Sequence, residues 1–501
     1  MKLLKILIML VFAVTICSQA IFTRSVQSQS SGAAFSSEDQ LAPEPPTPAP
    51  DAPTGFDNIT NGFENQADHL ADQAAFEKRD EILADGLGPV YNAQSCSECH
   101  QQPVTGAISQ ITELRAGTND ANGFFLPANV LINDGLNGLT PGKDLILNRS
   151  LINDRAICPN VHVKSVDSQG NPIIDFNQPN QNLQERVDNL VQTNGRPLPD
   201  GTPVVSTFRT SLNLLGDGFV ECIADTTLQG IASGQCNNPN PPGGVPICGQ
   251  TIAVDVLEAN QNLPPGAPTH KRLGRFGWKD QIPSLLSFSS DAYLNEIGIT
   301  NRLKPNDTEF TVLCDEVKDP EDSPDLPPGK QDIDAFTRFM RATRAPSRDR
   351  NLVPDDSTDR GSQLFDQIGC AICHVRNITT APVGTVINGG TFTVPASLGH
   401  MRIHPFGDFL LHQVGSGAGG MGGDGIVQTD GHQETRFLLR TPPLWGVRTR
   451  DRLMHNGEAL TFTEAIELHD GTFSEAHGVV MLFNGLSATD KKALIKFLKS
   501  L

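Results

Sequence analysis

Apolar residues recur at helical spacing in four stretches of the chain. Between residues 63 and 84, FENQADHLADQAAFEKRDEILA makes Leu70, Ala74, Phe76 and Ile82 available for burial along a helix. Residues 331–343, QDIDAFTRFMRAT, put Ile333, Phe336, Phe339 and Met340 on one face, and Pro346 stops the helix just beyond. Gly361-x-x-Leu364-Phe365 opens a short third helix. The chain closes on SATDKKALIKFLKSL, where Ser487 and Asp490 form a capping signature and Leu494, Ile495, Leu498 and Leu501 share a face. Residues 235–268 and 381–430 have no period and read as long loops. The pattern predicts a mainly α protein with long loop insertions.

The first twenty residues break this pattern. Lys2 and Lys5 accompany the apolar run LLKILIMLVFAVTI, and Ser18-Gln19-Ala20 supplies small residues for cleavage. Residues 1–20 are therefore expected to be a cleaved signal peptide, with the mature protein exported to the periplasm. Residues 21–56, rich in Ser, Pro and Ala, read as a flexible linker, with order expected from about residue 57. The polar stretch 344–356 suggests a second boundary, giving an N-terminal domain over 57–345 and a C-terminal one over 346–501. The 501 residues carry 57 acidic and 38 basic side chains, a net charge of −19, without Lys/Arg stripes. That balance argues against nucleic acid as a partner. No apolar run of membrane-spanning length follows the signal peptide, so no membrane span is expected in the mature chain.

Cysteine spacing carries the chemistry. Cys96-Ser-Glu-Cys99-His100 and Cys370-Ala-Ile-Cys373-His374 both follow C-x-x-C-H, the attachment signature of c-type haem. Two thiols add to the vinyl groups of one porphyrin edge, and the next imidazole ligates the iron. The expectation is two covalently attached haems, with His100 and His374 as iron ligands. A shared structural zinc is disfavoured by the long separation and by the His after each pair. A dithiol redox site is disfavoured because no strand–C-x-x-C–helix pattern surrounds either pair. In an oxidising compartment, Cys158, Cys222, Cys236, Cys248 and Cys314 allow up to two disulfides and one odd thiol.

A weaker internal echo accompanies the motifs. GRFGWKDQIPSLLSFSSDAYLNEIG and TPPLWGVRTRDRLMHNGEALTFTEAIELHDG align with Trp278 on His455, Leu285 on Phe462 and Ala292 on His469. The match makes sense as two duplicated halves, each with its own haem.

With the haem motifs, Leu453-Met454-His455-Asn456-Gly457 and Thr463-Glu464-Ala465-Ile466 resemble the bacterial diheme cytochrome c peroxidase superfamily. GLGPVYNAQSCSECH, ITELRAG, GRFGWKDQ and TPPLWGVRTR are more closely similar to the diheme oxidoreductases formerly labelled predicted thiol oxidoreductases and mostly assigned as peroxidases. The resemblance spans roughly residues 60–501 and implies two cytochrome c-like domains. It also implies a catalytic haem 1 on His100 that reduces hydrogen peroxide, and a haem 2 on His374 fed by an electron-donor protein. The distal ligand of haem 2 follows the motif histidine by fourteen positions, at His469, where ordinary peroxidases have Met. Trp278 corresponds to the Trp between the two haems, and His455 falls in the haem 2 pocket. The Gln/Glu pair of the peroxidases has no clear match; Asp280, Gln281, Asp291 and Glu296 are nearby by sequence. A pure electron carrier and an oxygenase acting on an organic substrate are the alternatives.

The remaining residues are read more plainly. His404 and His412 flank an apolar segment and suggest core or propionate contacts. Met401 and Met454 are conceivable haem 2 ligands, and Tyr91 and Tyr293 flank motif positions. His69, His162, His270, His432 and His477 are expected at the surface. His69, His162 or His270 is nevertheless a conceivable loop ligand that would close haem 1.

Overall fold

The computed structural model describes residues 39–88, 90–119, 125–127, 150–153, 155–156, 163–166, 172–174, 204–305, 329–415, 433–471 and 473–501. The expected signal peptide, Cys158, His162, Cys314 and His432 lie outside them. The principal helices are α1 (Gln66–Glu77), α2 (Asp225–Cys236), α3 (Leu285–Ala292), α4 (Asp332–Ala342), α5 (Arg360–Gln367), α6 (Phe462–Glu467), α7 (His477–Asn484) and α8 (Ala488–Leu498). Strands are short, the longest antiparallel pair being β1 (Thr112–Asn119) and β2 (Val204–Thr210). Among the described residues no helix is long and apolar enough to cross a membrane.

Two helix pairs are built alike. α1 packs on α4 and α5 on α8. Phe76 of α1 meets Phe339 of α4 at a ring distance of 4.8 Å, and Phe365 of α5 meets Phe497 of α8 at 5.4 Å. The predicted face of α4 is buried as read: Ile333, Phe336, Phe339 and Met340 are all inside. In α8, Ser487 caps the helix by accepting from the Asp490 amide. Leu494, Phe497 and Leu498 are buried, so Phe497 takes the place expected for Ile495.

α1 departs from the reading. Its buried residues are His69, Asp72 and Phe76, while Leu70 and Ile82 are exposed and a break after Glu77 ends the helix. Partners on α4 rotate the helix: Arg338 donates to both Asp72 carboxylate oxygens at 2.7 Å, and His69 stacks on Phe339. His69 is thus fully buried rather than at the surface.

The segment before residue 57 is also corrected. Residues 39–56 pack as a strap along the protein instead of remaining a free linker. The amide of Gln40 donates to the Val386 carbonyl, that of Ala52 to Arg402 and that of Gly55 to Ala345. Asp39 forms a buried ion pair with Arg272. The described residues fall in one contact unit, and bonds bridge the expected boundary near residue 345. Asn388, for example, donates to buried Glu221, which also pairs with Arg341.

The internal echo is present in the backbone. Phe276 bridges Ile282 and Leu453 bridges Ala459, antiparallel in both cases. Gly277 and Met454 have φ of +76° and +69°; Asp280 and Gly457 have +53° and +72°. Ser284 and Thr461 then cap α3 and α6 through side-chain oxygens that accept from Ser287 and Glu464. Every pair lies at the offset that places Trp278 on His455. Met454 and Asp280 adopt left-handed backbone that glycine supplies in the other copy.

Candidate functional site

Each C-x-x-C-H motif lines its own large cavity. Cavity I, about 1190 Å³ with its mouth, contains Cys96, Cys99 and His100; cavity II, about 1420 Å³, contains Cys370, Cys373 and His374. Since each thiol pair lines a separate cavity, the four cannot share one zinc. Burial pushes the thiols up, to about 12 for Cys99 and for Cys370, which disfavours thiolate chemistry.

In cavity II, His374 and His469 face each other with ring centroids 6.4 Å apart. His374 Nδ1 donates to the Phe406 carbonyl at 3.0 Å and His469 Nδ1 to the Ala465 carbonyl at 2.6 Å. A carbonyl only accepts, so each ring keeps its lone pair on Nε2. Burial pushes His374 down to about 4 and also lowers His469, keeping both neutral. Two imidazoles sharing one ion at about 2 Å per bond have centroids about 6 Å apart, so the pair fits a single metal between them. α6 delivers His469: its Thr461–Glu464 capping box fixes the start, and His469 follows the helix end.

The wall of cavity II also carries Arg440 and Arg450. Arg450 Nε is sealed from solvent without a hydrogen-bond partner, and burial pushes the guanidinium down to about 10. Such a cation calls for an anion, and haem propionates satisfy that demand. The cavity therefore fits a haem through two imidazoles, two thiols and an anion-seeking wall.

Cavity I repeats half of this arrangement. His100 Nδ1 donates to the Ala107 carbonyl at 3.1 Å, and burial pushes the ring down to about 4. Phe76 packs against His100 as Phe365 packs against His374, with centroids 6.4 and 6.3 Å apart. At the position matching His469 stands Ala292, followed by buried Tyr293, and both line the cavity. Tyr293 donates to Asp332 at 3.3 Å. His69 and His270 are not among the lining residues, whereas Met340 is.

Cavity I also holds a polar cluster that the sequence reading located only in part. Glu113 and Arg115 point to one side of β1, and Arg209 of β2 pairs directly opposite Glu113. Arg115 grips Glu113 through Nε at 2.7 Å and Nη2 at 2.9 Å, while Asn92 donates to Glu296 at 2.5 Å. Burial, with the charge of Glu113, pushes Glu296 up to about 8. Burial works to raise Glu113 as well, but Arg115 outweighs it and holds this carboxylate below its usual range. ITELRAG contained the clue, since Glu113 and Arg115 alternate with buried Leu114. Of the nearby candidates, Gln281, Asp291 and Glu296 line the cavity; Asp291 pairs with Lys304. Asp280 does not line it and lies buried 3.7 Å from Arg440.

Trp278 lines both cavities. Its ring meets His455 edge-on at 6.1 Å, and His455 lines cavity II. Met454 lines cavity II, whereas Met401 does not. His412 is buried between Asp408 at 2.9 Å and Glu475 at 2.8 Å. His404 departs from its expected core position: it is partly exposed and bonded to Asp51 and Asn377. Cys236 and Cys248 form a disulfide, and Cys222 is a buried free thiol.

Two matched cavities, each with a C-x-x-C-H motif and joined by one Trp, define the architecture of a two-haem redox protein. The family model described as "Di-haem oxidoreductase, putative peroxidase" matches residues 168–501, and the chain belongs to that family. Haem is the cofactor this membership implies. A solved structure described as a MauG-like protein associated with microbial copper homeostasis is 19% identical, with a TM-score of 0.23. That match covers 34% of this chain and 52% of the other, so the chain spans about half of that protein's length. Comparison with curated proteins gives no match.

Proposed function

We propose that this protein is a periplasmic diheme c-type oxidoreductase that reduces hydrogen peroxide in cavity I with electrons received through cavity II. The observation that carries the reading is Trp278, which lies in the wall of both cavities while their ligand sets differ. Cys96, Cys99 and His100 would hold haem 1; Cys370, Cys373, His374 and His469 would hold haem 2. The matched turns support two related cytochrome c-like halves within the contact unit.

Bound haem supplies a redox-active iron at which the O–O bond can break. The overall reaction consumes one peroxide, two electrons and two protons and yields two waters. The chain's part is to place protons and charge. Glu113, held ionised by Arg115, accepts a proton from the bound peroxide; Glu296 carries a proton for the departing oxygen. Ala292 contributes no ligand atom, which leaves room beside the carboxylates for peroxide. His374 and His469 would both hold haem 2, whose chemistry would then be electron delivery rather than substrate binding. A redox partner protein in the same compartment supplies the electrons.

The test combines haem content with ligand binding. Two covalent haems per chain, carbon monoxide binding to one of them, and peroxide-dependent oxidation of an artificial donor are expected. Two haems with carbon monoxide binding at neither would mark an electron carrier instead.

A further inference from the structure

Thr210, at the end of β2 where it pairs with Thr112, is tied to the wall of cavity II through three of its own groups. Its carbonyl accepts from Trp278 Nε1 at 2.9 Å, and its amide donates to the His455 carbonyl at 2.7 Å. Its hydroxyl accepts from Arg450 Nη2 at 3.0 Å. Thr210 is itself buried and lines cavity I, whereas Trp278, His455 and Arg450 all line cavity II. One residue thus fixes the indole, the matched turn and the anion-seeking guanidinium of the neighbouring cavity.

We propose that Thr210 is a positioning residue for electron passage between the two cavities, its hydroxyl holding Arg450 where the guanidinium steadies the edge of the group bound in cavity II. This inference rests on the diheme reading above. In the step concerned, one electron leaves the reduced centre of cavity II, which is thereby oxidised, and reduces the centre of cavity I. The electron originates from the donor protein. No proton need move with it, because Trp278 Nε1–H rests on a carbonyl that is too weak a base to take it. Arg450 has no second anchor at Nε, so loss of the hydroxyl frees the guanidinium to turn away. A hydrogen bond from a charged group is among the stronger ones, so its removal depopulates the held arrangement by about tenfold or more.

The experiment uses the full-length, haem-loaded protein. Carbon monoxide is photolysed from the half-reduced form, and electron redistribution between the two haems is followed optically. Thr210→Val keeps the backbone bonds and the strand shape but removes the hydroxyl. Redistribution is expected to slow about tenfold, with haem content and carbon monoxide stoichiometry unchanged. Thr210→Ser should restore it to within about twofold, because the hydroxyl returns. Arg450→Lys keeps the charge, loses the planar fork and should reproduce the slowing, which covers the case in which Thr210→Val does not fold. A native rate in Thr210→Val, or in Arg450→Lys if the first variant fails, overturns the inference and leaves the diheme reading intact. Native protein without two haems, or without redistribution between them, overturns that reading and this inference together.

Discussion

Cavity II sets two imidazoles against each other at 6.4 Å, whereas cavity I sets His100 in a chamber with Ala292, Tyr293 and a carboxylate pair. Their proximal sides are close copies: a Phe beside each His, and each Nδ1 on a backbone carbonyl. The difference arises on the other side, from one template. The same bridge, left-handed turn and capped helix lead to His469 in one copy and Ala292 in the other. In cavity I the freed space is bordered by β1, which brings Glu113 and Arg115. A single position, His469 in one copy and Ala292 in the other, together with a strand that borders cavity I, separates the two cavities.

The largest expected effect falls on the carboxylates. Glu113→Gln should lower peroxide turnover by about 10²–10⁴-fold, the usual weight of a general base, without changing the haem 2 spectrum. An equal loss of both haem signals would instead make Glu113 a structural residue. Next is the pH profile. Glu296 holds its proton up to about 8, above its ordinary range, so the proton is present at lower pH and lost as pH rises through that value. Turnover should then fall about tenfold per unit on the alkaline side, and Glu296→Gln should abolish this limb of its residual activity. A profile flat to pH 10 would remove Glu296 from the proton path.

His469→Ala would make the second cavity resemble the first. Carbon monoxide stoichiometry should double from one to two per chain, read by optical titration. Unchanged stoichiometry would pass the ligand role to Met454, which also lines that cavity.

The smallest effects contrast the two helix pairs. A Cβ on Gly361 would lie 2.0 Å from the Ala493 carbonyl oxygen of α8, so Gly361→Ala should cost about 1–3 kcal/mol by overpacking. Asp72, at the matching place four residues before Phe76, meets Arg338 instead. Arg338 is partly exposed, so Asp72→Asn should cost only about 1 kcal/mol in chemical denaturation. A reversed order would show that the ion pair, not the close approach, is the tighter joint.

The spacing of the sequence determined much by itself. C-x-x-C-H is a local constellation, and so are the face of α4 and the Ser487 cap, whereas His469 follows from the family resemblance. Each depends on neighbours a few residues apart, which periodicity and capping chemistry report directly. Tertiary structure decided the rest. Asp72 and His69 turn inward on α1 because α4 offers Arg338 and Phe339, an outcome that hydrophobic spacing does not encode. Residues 39–56 lie along the protein because Arg402, Ala345 and Arg272 complete their bonds from far along the chain. Glu113 and Glu296, 183 positions apart in the numbering, meet only when β1 and the turn after α3 close on one cavity. Their opposite proton affinities belong to that shared burial and to the grip of Arg115, and neither exists until the chain has folded.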